Sequence, residues 1–181
     1  DQIYIEKLKK FEPEIKIVLN KIIDYLCVHI INQIKAGADI VQIFDSWAGL
    51  IPESKLFDYC YDPNRKIVDF CKKNEIPVIC FPKGIKDKYI NFAEIVDPDC
   101  LSLDYEVDPL WAKNNLKKFC LQGGMDPKVL FKEENEIFQE VDKYLNIFKN
   151  QPYIFNLGHG LLPETNPDVL QKVIERVNSY K

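Results

Sequence analysis

The side chains best suited to chemistry follow short apolar segments that are spread along the chain. Ser46 follows the first segment, Lys83 the second, Asp104 the third, Asp126 the fourth and His159 the fifth. Histidine titrates in a range that suits either proton transfer or hydrogen-bond donation to a carboxylate. These five residues are therefore the first candidates for a functional site.

His159 is the most informative of the candidates because a glycine stands on each side of it. Gly158 and Gly160 have no side chain, so the backbone and the imidazole can approach a ligand closely. A histidine at the end of a strand can also be purely structural, and the sequence leaves that alternative open.

The other candidates have structural interpretations as well. Ser46 could cap a loop or a helix start, and Lys83 could be a solvated loop charge. Asp104 and Asp126 could accept hydrogen bonds from the backbone of their own turns, which is favoured for Asp126 because a proline and an incipient helix follow it. For Trp47, packing is favoured over stacking on a ligand.

The five apolar segments are predicted strands, at residues 40–44, 78–81, 100–103, 119–122 and 153–157. They are continuous and do not alternate with polar residues, which suits strands buried on both faces of a parallel sheet. The predicted helices cover residues 14–35, 63–74, 89–95, 109–116, 133–149 and 167–180.

This alternation of strand and helix predicts an α/β fold with a parallel sheet. An open doubly wound sheet and a barrel both fit the pattern. The first strand is not followed by the glycine-rich fingerprint that dinucleotide-binding sheets often carry. The candidate functional residues instead follow all five predicted strands. Active sites of barrels are built from the loops that follow many strands, so the barrel is favoured.

The composition narrows the class of protein. The chain has 181 residues, 46% of them hydrophobic, which suffices for one compact domain with a core. No run of eighteen apolar residues occurs, so no membrane span is predicted, and the net charge of −4 argues against bulk nucleic-acid binding. Residues 1–4 show neither an initiator methionine nor a signal-peptide pattern, and they predict an interior cut of a longer protein.

The arginines, cysteines and remaining histidine exclude further kinds of site. Arg65 and Arg176 are the only arginines and are not clustered, so they could not complete a site for a polyanionic ligand. The six cysteines form no CxxC motif, and no histidine lies at metal-ligand spacing from one. They are predicted to be buried, reduced thiols of a cytosolic protein. His29 is predicted to pack or to lie at the surface, not to bind a ligand.

Taken together, these residues resemble the uroporphyrinogen decarboxylase family. The strongest matches are QIFDSWAG at residues 42–49, NLGHG at 156–160 and LPET at 162–165. Leu103-Asp104, LQG at residues 121–123 and Asp126-Pro127 support them. The resemblance covers essentially the whole chain, and Gly124-Met125 departs from it, since the family more often has Asn-Leu there.

The resemblance implies a fold and an activity. The chain would be the C-terminal part, about five β/α units, of a TIM-type (β/α)8 barrel. Residues 1–181 would form a single partial domain that lacks the N-terminal strands. The implied enzyme removes carbon dioxide from the four acetate side chains of uroporphyrinogen III, giving coproporphyrinogen III in haem biosynthesis. It would use no cofactor and no metal, and it would be cytoplasmic and homodimeric when full length.

The resemblance also implies roles for three residues. Ser46 would donate a hydrogen bond to a substrate carboxylate, His159 would have a similar role, and Phe44 would line the cleft beside Ser46. The family's catalytic aspartate, carboxylate-binding arginines and active-site tyrosine belong to its N-terminal part. No catalytic residue is therefore expected in this chain, and the chain alone is expected to be inactive.

Two other interpretations remain at this point. Corrinoid or methionine-synthase-like methyltransferases share the superfamily barrel, but those with a thiol acceptor generally carry a zinc site of histidine and cysteine. No His-x-Cys occurs here. The chain could also be a catalytically inert binding fragment whose open strand edges associate with a partner segment.

Overall fold

The computed structural model describes residues 6, 7 and 9–180. These residues group into two compact units, the first ending at Asp99 and the second beginning at Cys100. Residues 1–4, from which an interior cut is predicted, lie outside the described part of the chain.

Helices and strands alternate along the first unit. In chain order they are α1 (Glu12–Lys35), β1 (Val41–Asp45), α2 (Asp62–Lys73), β2 (Val78–Pro82) and α3 (Tyr89–Val96). Strands β1 and β2 pair in parallel, from Val41 opposite Val78 to Asp45 opposite Pro82. Every residue of β2 is buried, as its uninterrupted apolar run predicts.

The second unit repeats the same alternation. Its elements are β3 (Cys100–Leu103), α4 (Pro109–Asn115), β4 (Cys120–Gly123), α5 (Glu134–Phe148), β5 (Tyr153–Ile154) and α6 (Pro167–Ser179). Strand β4 pairs in parallel with both β3 and β5. Helix α4 begins where the Asp108 carboxylate accepts hydrogen bonds from the next backbone amides, and Asn166 caps α6 similarly. The predicted α/β class with about five β/α units is confirmed.

The fifth strand is shorter than the sequence predicts. A strand was expected over residues 153–157, but the regular ladder ends at Ile154, and only an isolated bridge joins Met125 to Leu157. The cause lies at the end of the partner strand, where Gly123, the last residue of β4, and the following Gly124 have φ angles of +78° and +99°. These left-handed conformations turn the chain out of the ladder before it can continue.

The helix after β1 holds an unpredicted feature. A turn of π-helix, Phe57–Tyr61, directly precedes α2, whereas the sequence predicts a helix only from residue 63. Its wider hydrogen-bond spacing inserts a residue into the helical repeat, which no hydrophobic pattern signals. The inserted turn carries Cys60, which is fully buried.

Helix α1 buries little of its apolar surface within this chain. Only Ile23 and Ile30 are buried along it, whereas several large apolar side chains are exposed: Ile17, Val18, Ile22, Tyr25, Leu26 and Val28. By length and composition α1 could cross a membrane, which is weak evidence from a single helix. The rule of eighteen uninterrupted apolar residues did not select it because charges such as Lys21 and Asp24 interrupt the run. The absence of a membrane span therefore stays a prediction.

The cysteines follow the sequence prediction in most positions. All six are free, and four are buried: Cys60, Cys71, Cys80 and Cys100. Cys27 and Cys120 are half-buried. Burial raises the pKa of the Cys71 thiol to about 11, and it raises the pKa values of Cys60 and Cys80 further. These three thiols therefore stay protonated at neutral pH.

Candidate functional site

Three consecutive side chains at the end of β1 point to alternating faces of the strand. Successive residues of a strand point to opposite sides, so Phe44 and Ser46 share one face and Asp45 points to the other. The hydrogen bonds agree, because the Asn64 side chain of α2 donates to the Asp45 carboxylate at 3.1 Å. Phe44 and Ser46 therefore face away from α2.

Asp45 anchors β1 to the π-helical turn and α2. Its carboxylate accepts from the Asn64 amide and from the Cys60 thiol, while the same amide donates to the Cys60 carbonyl at 2.9 Å. Burial raises the pKa of Asp45, although the hydrogen bonds from Cys60 and Asn64 counteract part of this effect. The residue fixes the strand end that presents Ser46.

The raised pKa of Asp45 has a consequence for stability. A carboxyl group whose pKa is higher in the folded state contributes stability that is fully present below its unfolded pKa of about 3.9. That contribution is lost as the pH rises through the folded value. We expect Asp45→Asn to remove this component, so that the stability of the variant relative to the parent increases from about pH 4 upward.

Guanidinium unfolding of both proteins at a series of pH values measures this difference. A constant difference between parent and variant across the series would show that Asp45 titrates alike in the folded and unfolded states.

The loops after β1 and β2 are joined through their backbones. Gly49 donates its N–H to the Lys83 carbonyl at 2.8 Å, and Lys83 donates its N–H to the Asp45 carbonyl at 3.1 Å. A Cβ atom built on Gly49 would lie 2.6 Å from the Gly84 carbonyl oxygen, so only glycine fits at position 49. The segment that carries Ser46 is thereby held at both of its ends.

The side chains on the open face of β1 differ in packing. Phe44 is 68% exposed and meets the buried Phe81 edge to face, with ring centroids 6.1 Å apart. Ser46 is half-buried, and its hydroxyl has no hydrogen-bond partner within the described part of the chain. The packing favoured for Trp47 is not found within the described chain, since this side chain is 74% exposed. The turn that follows Ser46 directs it outward.

His159 lies in the second unit, on a loop that is fixed through Gly158. The Gly158 N–H donates to the Met125 carbonyl at 2.7 Å. A Cβ atom on Gly158 would lie 2.4 Å from the Tyr105 backbone nitrogen, so the loop packs directly against the segment after β3. Gly160 has open space around it, and His159 between the two glycines is exposed. The two glycines therefore differ: one is required by packing, the other is not.

Two tyrosine hydroxyls bond to the turn after β4, which leads to Met125, the residue that accepts the hydrogen bond from Gly158. Tyr153 donates to the Gly123 carbonyl at 2.7 Å, and Tyr144 donates to the Gly124 carbonyl at 2.8 Å. The Tyr153 ring stacks on Phe148, with centroids 4.4 Å apart. A Cβ atom on Gly124 would approach the Tyr144 ring to 3.0 Å, which explains in physical terms why glycine suits this position here. The sequence carries no signal for these long-range bonds.

We expect Tyr144→Phe and Tyr153→Phe each to lower the free energy of unfolding by about 1–2 kcal/mol, because each leaves a buried glycine carbonyl without its donor. Tyr180→Phe is the matched control, since its hydroxyl bonds to Asn146 at an exposed position. That change should cost less than about 0.5 kcal/mol. Equal losses in all three variants, measured by denaturant unfolding, would contradict the importance of the buried bonds.

The aspartates after β3 and β4 both accept hydrogen bonds from their own turns, which is the role favoured for Asp126 and left open for Asp104. The Asp104 carboxylate accepts from the Glu106 N–H, and the Asp126 carboxylate accepts from the Lys128 N–H, each at 2.9 Å. His29 is exposed on α1, in agreement with a surface role. Among the described residues, no group of three or more His, Cys, Asp and Glu side chains could hold a metal ion.

Parallel β/α units with polar side chains and close-packed glycines at the carboxyl ends of the strands define a protein of the α/β class. Comparison with known proteins specifies the class further. The model of the uroporphyrinogen decarboxylase (URO-D) family matches residues 5–180. The chain therefore belongs to the uroporphyrinogen decarboxylase family.

Individual relatives agree with the family match. A uroporphyrinogen decarboxylase of Cereibacter sphaeroides is 35% identical over 182 residues, covering 98% of this chain and 53% of that protein. The corresponding protein of Rickettsia bellii is 38% identical over 172 residues, covering 92% of this chain and 49% of its own. The chain thus spans about half the length of the curated relatives it matches.

Proposed function

We propose that this chain is the C-terminal part of a uroporphyrinogen decarboxylase. The enzyme would convert uroporphyrinogen III to coproporphyrinogen III in haem biosynthesis, without a cofactor or metal. The observation that carries the proposal is the family match over residues 5–180, which includes both strand-end motifs. The names of the relatives support it, and so does their length, which leaves room for a further set of β/α units.

Ser46 and Phe44 form the proposed substrate contact of the first unit. The Ser46 hydroxyl would donate a hydrogen bond to a carboxylate of the substrate, and the exposed Phe44 ring would line the cleft beside it. Three features support this role: the shared face of the two residues, the hydroxyl without a partner in the described chain, and the backbone bonds that fix their loop. A donor held in place loses little freedom when it binds.

His159 is the proposed carboxylate-binding residue of the second unit. Its exposed imidazole carries an N–H donor, and a hydrogen bond to an ionised group is stronger than one between neutral groups. The fixed position of Gly158 supports this role, because it restricts the backbone on which the imidazole stands.

The remaining groups of the site are proposed to come from outside this chain. An octacarboxylate substrate requires cationic partners, yet both arginines already pair within their own units. Arg65 bonds to Asp62 at 2.7 Å, and the guanidinium of Arg176 bonds to the Asp142 carboxylate. We infer that the catalytic aspartate, the carboxylate-binding arginines and the active-site tyrosine lie on the other half of the polypeptide, so that this chain alone is inactive.

The chemistry needs an acceptor for the electron pair that each acetate leaves behind. Protonation of a pyrrole ring carbon would supply it: the bond between the methylene and the carboxylate breaks, carbon dioxide leaves, and the pair enters the ring. One proton is taken up overall as each acetate becomes a methyl group. The protein would hold the anionic substrate and stabilise the cationic pyrrole with the buried carboxylate of the missing half.

The cellular setting follows from the same proposal. The intact enzyme would be a cytoplasmic homodimer that acts on a small tetrapyrrole and binds neither nucleic acid nor membranes. The net charge of −4 supports the first of these exclusions.

The test is an anaerobic assay of uroporphyrinogen III turnover by the intact polypeptide encoded by the reading frame that contains this chain. We expect coproporphyrinogen III as product. Ser46→Ala should raise KM by about tenfold with little change in kcat, because the lost contact stabilises the bound substrate and the transition state equally. Absence of turnover by the parent protein would overturn the proposed function, and an unchanged KM in the variant would overturn the role of Ser46 alone.

A further inference from the structure

Trp47 carries a large apolar ring that is exposed within the described chain and stands next to a proposed substrate contact. It directly follows Ser46 and is 74% exposed, and Leu50, three residues later, is 71% exposed. Large aromatic side chains bury about 150–250 Å² each when they find a partner, so an exposed tryptophan forgoes much of its favourable burial. Such residues are enriched among binding anchors.

The position of Trp47 is determined by the backbone and not by packing of its own ring. The Leu50 N–H donates to the Trp47 carbonyl at 2.9 Å, closing a short 3₁₀ turn. Gly49 in the same turn is fixed against Gly84 and the Lys83 carbonyl. The ring therefore extends from a rigid support, at the carboxyl end of a parallel strand, where ligands of β/α proteins bind.

We propose that Trp47 is a further substrate-contacting residue, whose indole packs against a pyrrole ring of the tetrapyrrole while Ser46 holds a neighbouring carboxylate. The inference rests on the proposed function. It adds an apolar contact to a substrate otherwise bound through its charges. A pyrrole ring presents a π face of suitable size, and aromatic rings pair favourably in offset or edge-to-face geometry. Trp47 contributes to affinity and orientation, and it moves no proton.

The test compares Trp47→Ala and Trp47→Phe in the intact polypeptide, with uroporphyrinogen III as substrate. Loss of the ring should raise KM by about 10- to 100-fold with kcat within about threefold, and phenylalanine should restore most of the affinity because it retains a ring face. A general folding defect would instead lower the active fraction, and thus kcat, and would not be rescued by phenylalanine.

Sedimentation velocity on the same variants separates substrate contact from contact with a second copy of the chain. We expect the same molar mass for parent and variants. A KM that stays at the parent value, or one that rises only at protein concentrations where the variant dissociates, would overturn the inference.

A second measurement does not depend on turnover. In protein labelled with 5-fluorotryptophan, the Trp47 resonance is assigned by its absence in Trp47→Phe. It should shift on anaerobic titration with coproporphyrinogen III, whereas the Trp111 resonance from α4 should not. An unmoved Trp47 resonance at saturation overturns the inference. If the parent turns over substrate while these tests fail, the proposed function stands and only the role of Trp47 falls.

Discussion

Gly158→Ala should lower the free energy of unfolding by about 3 kcal/mol, a large effect for the addition of one methyl group. The new Cβ would lie 2.4 Å from the Tyr105 nitrogen and 2.8 Å from its Cα atom. Both atoms belong to backbone, so no side chain can rotate away to relieve the overlap. The loop would have to move, and the hydrogen bond from Gly158 to Met125 would lengthen or break.

Gly160→Ala is the matched control, two residues along the same loop. No atom lies within 4 Å of the position that its Cβ would occupy, and its φ angle is not in the left-handed region. We expect the free energy of unfolding to change by less than about 1 kcal/mol, because alanine restricts the unfolded chain and meets no atom in the folded one. Denaturant unfolding of the intact polypeptide measures both variants. Equal stabilities would mean that the loop yields without cost.

The second large effect concerns the residue between these glycines. His159→Ala should lower kcat/KM for uroporphyrinogen III by about 10- to 100-fold, because this is the loss expected when one hydrogen bond to an ionised group is removed. Most of the loss should appear in KM, since a carboxylate remote from the reacting bond is bound alike in the ground state and the transition state. His159→Gln keeps an N–H donor and should recover part of the affinity.

Anaerobic steady-state kinetics on the three proteins tests this expectation. Since His159 is exposed, its removal should leave the free energy of unfolding nearly unchanged, in contrast to Gly158→Ala. If His159→Ala retained the turnover and affinity of the parent, the histidine would have no part in substrate binding.

The sequence predicts the strands and helices well where burial is simple. Strand β2 and helix α5 lie within a residue or two of their predicted bounds. A strand buried on both faces gives a continuous apolar run, and a helix buried on one face gives helical spacing, so both patterns can be read from the sequence. The prediction for strand β5 is too long, because the positive φ angles that end its ladder belong to Gly123 and Gly124, at the end of β4. The local sequence pattern of a strand contains no information about where the neighbouring strand turns away.

The candidate site was predictable only in part. The motifs around Ser46 and His159 are local and were recognised, but the groups that fix them come from distant positions. Asn64 reaches Asp45 across 19 positions of sequence, and Tyr153 reaches the Gly123 carbonyl across 30. The error on Trp47 has the same origin, because hydropathy does not distinguish a ring held in solvent from one in the core.

The distribution of the cysteines gives the experimenter a practical advantage. Cys60, Cys71, Cys80 and Cys100 are enclosed by the fold, so a maleimide or spin-label reagent added to the native protein would reach them only through unfolding. Cys27 on α1 and Cys120 at the start of β4 are only half-buried, so they are the more accessible attachment points of the described chain, one in each unit. A dye pair on these two natural thiols would report the distance between the units without any engineered cysteine.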